Sequence, residues 1–252
     1  MLRPFPYTHF TAANIPDWGC PACRNASLEV VQGSFLTHPS AFSVENRGED
    51  WYDSEHEGFV FICMLQCSRR SCRESVAVSG IGWCEQEPDD YNQRLEYYTV
   101  YQARSFVPPL PVFSVTTWCP DEIDEQLKMV SALLPISGNS AVNAIRVTLE
   151  MMLDTLDIPR KTMGQNPQRI PLAQRIVLNK ERLGIHYDAF HALKDFGNHG
   201  SHTDGPIRRS DIEGACMVLD DLIRRLYDQE TDFKGIVERL AIRYGKKPKN
   251  TQ

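Results

Sequence analysis

The chain has 252 residues, 42% of them hydrophobic and 24% charged, with a formal net charge of −6. That composition belongs to a soluble globular protein of one large domain or two ordinary ones, and it excludes a collagen-like or disordered chain. No apolar run approaches the roughly 20 residues that span a bilayer, and the acidic balance argues against a strongly basic, DNA-coating surface.

The start, MLRPFPYTHF, lacks a basic stretch followed by a long apolar core, so no signal peptide is expected and a cytoplasmic chain is. Short β-type runs follow at Ser27 to Val31, Phe59 to Leu65, Ser75 to Val78 and Tyr97 to Tyr101, rich in aromatic and β-branched residues. Between the first two lies an acidic run with Glu45, Glu49, Asp50, Asp53, Glu55 and Glu57, which reads as a solvated loop or as a docking site for a basic partner. The acidity is confined to this half: residues 1–119 hold 8 Lys+Arg against 14 Asp+Glu, and residues 120–252 hold 19 of each. Pro108-Pro109-Leu110-Pro111 can continue neither a helix nor a central strand and reads as a semi-rigid connector.

Beyond the connector the apolar period changes from 2 to about 3.6. Asp121 to Leu134 is a predicted helix with an acidic first turn, and Gly138 to Asp157 a second, striped by Val142, Ile145, Leu149, Met152, Leu153 and Leu156. Residues 158–170 form a predicted loop. Pro171 suits a first helical position and Gly184 a C-terminal cap. Tyr187 to Phe196 is a further helix, Ser210 and Glu213 form a capping-box pattern before another, and Thr231 opens a last one through about Arg243. A disordered tail with Lys246, Lys247 and Lys249 is expected after it. The fold class is therefore α+β: a β-rich N-terminal domain over 1–111 and an antiparallel helical bundle over 112–252.

Seven of eight cysteines fall in the first half. Cys20-Pro-Ala-Cys23 and Cys67-x4-Cys72 have the spacing of two metal-binding knuckles, 43 residues apart, and predict a zinc ribbon. Four thiolates around Zn²⁺ leave no open position, so the expected ion is structural, and the site's net charge of −2 is offset by Arg69, Arg70 and Arg73. The same three arginines are candidate nucleic-acid contacts. Cys63 and Cys216 read as small core residues and Cys84 as a substitute ligand, and no thiol stands in a catalytic setting.

Four histidines, at 186, 191, 199 and 202, lie within 17 residues. In a helix His191, Asp195, Asn198 and His202 fall on one face, either as a buried hydrogen-bonding seam or as an acid/base stripe.

Together with the ribbon, three features carry a resemblance over residues 119–228: the helix Ala144-Ile-Arg-Val-Thr-Leu-Glu150, the segment Leu193 to His202 with its Gly-Asn-x3-His core, and the long amphipathic helix after it. The sequence resembles a HEPN-like family of domains of unknown function with an N-terminal zinc ribbon, found alone and beside restriction and phage-defence genes. The resemblance implies a helical bundle that commonly dimerises, acting either as a metal-independent ribonuclease or as an inactive binding module. The active pattern sets four to six residues between an Arg and the His; for His202 the Arg positions hold Asp195, Phe196 and Gly197, and the nearest cation is Lys194.

Three functions are therefore expected, in order. The first is a zinc-binding, homodimeric interaction module with a protein partner in a defence system. The second is an endoribonuclease with His202 as general acid/base, His199 as second proton carrier, Asn198 orienting, and Lys194 or Arg146 stabilising charge. The Glu150 carboxylate, at i+4, is the expected partner of Arg146. The third is a DNA- or RNA-facing accessory using Arg69, Arg70 and Arg73 with Arg160, Lys161 and Arg169. No membrane partner is expected.

Overall fold

Strand-forming sequence gives way to helix-forming sequence along the chain, and the computed structural model follows that change. It describes residues 4–89, 94–202, 207–228 and 233–244, the side chains of 88–89, 94–95, 199–202, 233–234 and 236 excepted. The strands are β1 (Leu28–Val30), β2 (Leu36–Pro39), β3 (Gly58–Cys67), β4 (Ser75–Asp89) and β5 (Arg94–Val107). They form one antiparallel sheet in the order β1-β3-β4-β5, with β2 also pairing on β3. The last two strands are far longer than the apolar runs that announced them, because their outer turns carry polar residues such as Glu85 and Gln86 toward solvent.

Alternation along β3 buries Phe61, Cys63 and Leu65, which meet Val76 and Val78 of β4 and Tyr101, Ala103 and Phe106 of β5. Trp18 and Phe10 fill the same core, Trp18 edge-on to both Phe10 and Phe106. At Gly80 the strands come so close that a Cβ would lie 2.2 Å from the Gln102 carbonyl oxygen and 2.6 Å from the Phe61 ring. The ladder shifts register there, from Ser79↔Ser105 to Gly80↔Ala103, leaving Arg104 as the extra residue of a β-bulge.

The acidic run is ordered rather than an open loop. It spans a short helix α1 (Ala41–Asn46), capped by the Ser40 side chain, and a single 3-10 turn over Ser54–His56 with a capping box from Asp53. Phe42, Trp51, Tyr52 and His56 cluster over it, with ring centroids 5.4–6.3 Å apart.

The helices are α2 (Asp121–Leu133), α3 (Gly138–Thr155), α4 (Leu172–Leu178), α5 (Lys180–Leu183), α6 (Tyr187–His202), α7 (Arg209–Tyr227) and α8 (Phe233–Tyr244). In α3, Val142, Ile145, Leu149, Met152 and Leu153 are wholly buried, as the stripe predicts, between α2 and α6. Gly184, at positive φ, closes α5 as expected, whereas Pro171 lies just outside α4 as its N-cap. The Ser210/Glu213 capping box does not form: α7 starts at Arg209 with no side-chain cap, and Glu213 accepts the Tyr7 hydroxyl instead. Among the described residues no helix is long and apolar enough to cross a membrane. The lysine-bearing tail lies outside the described residues.

The connector joins the two cores, with Leu110 in the sheet core and Phe113 in the helical core, and the leading segment does so again. Phe5 and Tyr7 pack into the helical core, while Phe10 and Trp18 pack into the sheet core. Phe10 exchanges backbone hydrogen bonds of 3.0 and 2.7 Å with Tyr101, and the Trp18 indole N–H donates to the Phe5 carbonyl at 3.3 Å.

Candidate metal centre and polar helical seam

The loop before β1 turns tightly at Cys20 to Cys23, and the β3–β4 turn does the same at Cys67 to Cys72. The Arg24 amide donates back to the Cys20 carbonyl at 2.8 Å, and those of Cys72 and Arg73 to the Arg69 carbonyl at 3.0 and 3.1 Å. Arg24 and Arg73 both take positive φ, which lets each knuckle fold back on its own thiols. The 43 residues between the pairs do not separate them, because β1 lies antiparallel on β3 with Leu28 opposite Cys67.

The four Sγ atoms lie within 4.8 Å of one another, a set that could hold a metal ion. Cys20 and Cys72 are 3.6 Å apart, and Cys23 and Cys67 are 3.7 Å apart. Sulfurs placed about 2.3 Å from a central zinc form a tetrahedron with edges of about 3.8 Å, so the spacing and the all-thiolate donor set are both compatible with zinc. A disulfide, at about 2.05 Å, is far shorter. Backbone N–H and side-chain hydrogen bonds from Asn25 hold the Cys23 thiol down to about 5, while burial pushes Cys20 up to about 12. The Ser27 hydroxyl lies 3.1 Å from the Cys67 sulfur. Asn25 and Ser27 were not singled out in the sequence, although small polar residues directly after a knuckle are the signal for this support.

The remaining thiols stay out of the cluster. Cys63, Cys119 and Cys216 are buried, and burial raises them to about 11, 11 and 12. A thiol held protonated in this way is a structural residue, not a nucleophile. Cys84, half-buried on β4, is not among the four.

Arg69 and Arg70 are exposed on the β3–β4 turn, and Arg73 donates to the Gln66 side chain. Arg160 and Arg169 are engaged with the carboxylates of Asp154 and Glu150.

The second candidate region is the contact between α3 and α6. α6 runs on to His202, beyond the predicted end at Phe196, and Gly197 lets it approach α3 closely: a Cβ there would lie 3.2 Å from that of Arg146. The close approach lets the Arg146 guanidinium donate to the Asn198 side-chain oxygen. The expected i+4 pair does not form; Glu150 instead meets Arg169 at 3.3 Å. Lys194 is buried and ion-paired with its neighbour Asp195, whose other oxygen lies 2.9 Å from His191 Nδ1. The Lys194 hydrogen bond, above all, holds the Asp195 carboxyl below the usual range. The polar seam of α6 thus holds two groups, His191 and Lys194 around Asp195, and Arg146 from α3 on Asn198. The backbone of His199 and His202 continues α6, but their side chains lie outside the described residues.

Residues 8–110 match the model of a domain of unknown function (DUF8608), and residues 128–239 match that of another domain of unknown function (DUF4145). Both halves are thus similar to uncharacterised families. No curated protein and no solved structure matches the chain.

Proposed function

We propose that this protein is a zinc-stabilised, HEPN-like interaction module that forms a homodimer and engages a protein partner in a bacterial defence system. The observation that carries the reading is the occupied seam. Lys194, which a nuclease would need for a charged transition state, is buried against Asp195, and Arg146 is tied to Asn198. The Lys194 charge, matched by Asp195, has less field left for a phosphoryl oxygen, and Arg146, whose partner is a neutral amide, is held in place rather than neutralised. The structural ion at Cys20, Cys23, Cys67 and Cys72 serves the same reading, since a closed site holds a shape rather than a reaction. The defence context rests on the sequence resemblance alone. Light scattering of the purified chain tests the assembly: a dimer has twice the 28.7 kDa chain mass, and a strict monomer at every concentration, alone and with its genomic neighbours' products, removes the reading.

A second reading is a metal-independent endoribonuclease. It is favoured by one feature: Arg146 meets α6 at Asn198, on the same last turns that carry His199 and His202. RNA cleavage that persists in EDTA and disappears in His202→Ala supports it, and cleavage indifferent to that substitution discards it. Nucleic-acid contact through Arg69, Arg70 and Arg73 is the third reading, tested by the salt dependence of a mobility shift.

A further inference from the structure

A cavity of about 260 Å³ opens where the β5 bulge, the turn before α3 and the start of α7 meet. One side is apolar, with Ile136, Ile207 and Ile212; the other presents Arg104, Arg209 and the buried amide of Gln102. The bulge frees Arg104 from the ladder, and a bulged residue can be re-aimed away from the alternating pattern.

Neither guanidinium is paired with a carboxylate among the described residues, unlike those of Arg24, Arg47, Arg160, Arg169, Arg175 and Arg182. Arg209 lies 5.4 Å from the Tyr7 ring centroid and donates to His9 Nε2 at 3.1 Å. Burial, then the charges of Arg209 and Arg104, hold His9 below its usual value, with Glu85 opposing. Both cations therefore bear on one neutral ring, which cannot compensate them. Carboxylates stand nearby and keep their charge, but their hydrogen bonds go elsewhere: Glu213 accepts the Tyr7 hydroxyl at 3.0 Å, Glu85 accepts the Trp83 indole N–H at 2.9 Å, and Asp211 lies in the first turn of α7. None of the three lines the cavity.

The backbone adds to this field. Ser137 and Gly138, at the start of the 18-residue α3, line the cavity beside Arg209, the first residue of the 19-residue α7. Gly138 brings the two starts together, since a Cβ there would lie 2.6 Å from Ile212 Cδ1. The Ser137 N–H donates to the Leu133 carbonyl at 2.9 Å and the Ser140 N–H to the Ser137 hydroxyl at 3.2 Å, so the two helix starts contribute through the positive ends of their dipoles. Two guanidiniums with no ion-pair partner among the described residues, beside an apolar wall, favour an anion with a carbon body.

We propose that this cavity binds a phosphate-bearing small molecule, with Arg104 and Arg209 gripping the phosphoryl oxygens and the Ile207–Ile212 wall taking the attached body. Planar guanidinium forks match phosphate oxygens. The volume suits a phosphoryl group with a small substituent, below the usual range of drug-sized pockets. The proposal does not depend on the dimeric-module reading.

The test is phosphorus-31 NMR line broadening of inorganic phosphate and of adenosine monophosphate by the full, zinc-loaded chain. Expected is saturable broadening that weakens at least tenfold in Arg104→Gln and in Arg209→Gln and is unchanged in Arg182→Gln, an arginine paired with Asp157 away from the cavity. Broadening of both probes identifies free phosphate as sufficient, and broadening of the nucleotide alone shows that the apolar wall is needed. No broadening of either probe, or broadening equal in wild type and Arg104→Gln, overturns the proposal. Arg104 is an exposed bulge residue, so its variant keeps the test sound if loss of the Arg209–Tyr7 contact loosens the fold.

Discussion

The Tyr7 hydroxyl donates to Glu213 Oε1 at 3.0 Å, although 206 positions separate the two residues. It ties the first residues of the chain to α7. Burial, then the Glu213 charge, hold the Tyr7 phenol above its ordinary value of 10.0. The folded chain therefore keeps this proton where the unfolded chain releases it. The stabilisation is complete below pH 10 and is lost as pH rises further. Tyr7→Phe is expected to cost about 1.5 kcal/mol at neutral pH, roughly a 4 °C fall in Tm for a chain of this size. The same variant should lose less stability above pH 10 than wild type does, as thermal melts across alkaline pH will show.

Metal removal should act on the sheet first. Cys20 and Cys67 are fully buried, and Cys67 ends β3. Elemental analysis of the purified chain is expected to give one zinc per chain, falling to none in Cys67→Ser. A strong chelator should lower the thermal midpoint of wild type and leave that variant unmoved.

Arg175 is buried and donates to Asp154 Oδ1 at 2.7 Å and to the Ile158 carbonyl at 2.6 Å. Burial works to raise the Asp154 carboxyl, and the hydrogen bonds of Arg160 and Arg175 outweigh it, so it titrates below its ordinary 3.8. This stabilisation is present above pH 4 and is lost as pH falls through the folded value. Asp154→Asn leaves a buried guanidinium without its counter-charge, and because the carboxylate itself is partly exposed a cost of about 1–2 kcal/mol is expected. Urea titrations at neutral pH read the cost, and a shallower acid limb in the variant checks its origin.

Two glycines should answer the same substitution in opposite ways. Gly80→Ala forces a Cβ against the Gln102 carbonyl and must part β4 from β5, at about 3 kcal/mol. Gly214, inside α7, has nothing within 4 Å of its Cβ position. Gly214→Ala should therefore stabilise by about 0.5–1 kcal/mol through helix propensity. Urea midpoints of the two variants must move in opposite directions.

The sequence was most informative where structure is local. The knuckle pairs and the α3 stripe are visible because two thiols, or residues three and four apart, meet without help from distant chain. What stayed hidden depends on distant partners. Glu213 matches a capping box by spacing, but Tyr7 claims its carboxylate. Arg146 matches an i+4 pair with Glu150, but Asn198 and Arg169 take the two partners. β2 and α1 are too short to show a period and are largely exposed.

The leading segment, with Phe5 and Tyr7 in one core and Phe10 and Trp18 in the other, acts as a stitch between two bodies. It commits them to a shared fate on heating: the front and rear should come apart in one calorimetric peak. Trimming the chain past Trp18 would split that peak in two, each lobe then failing at its own temperature.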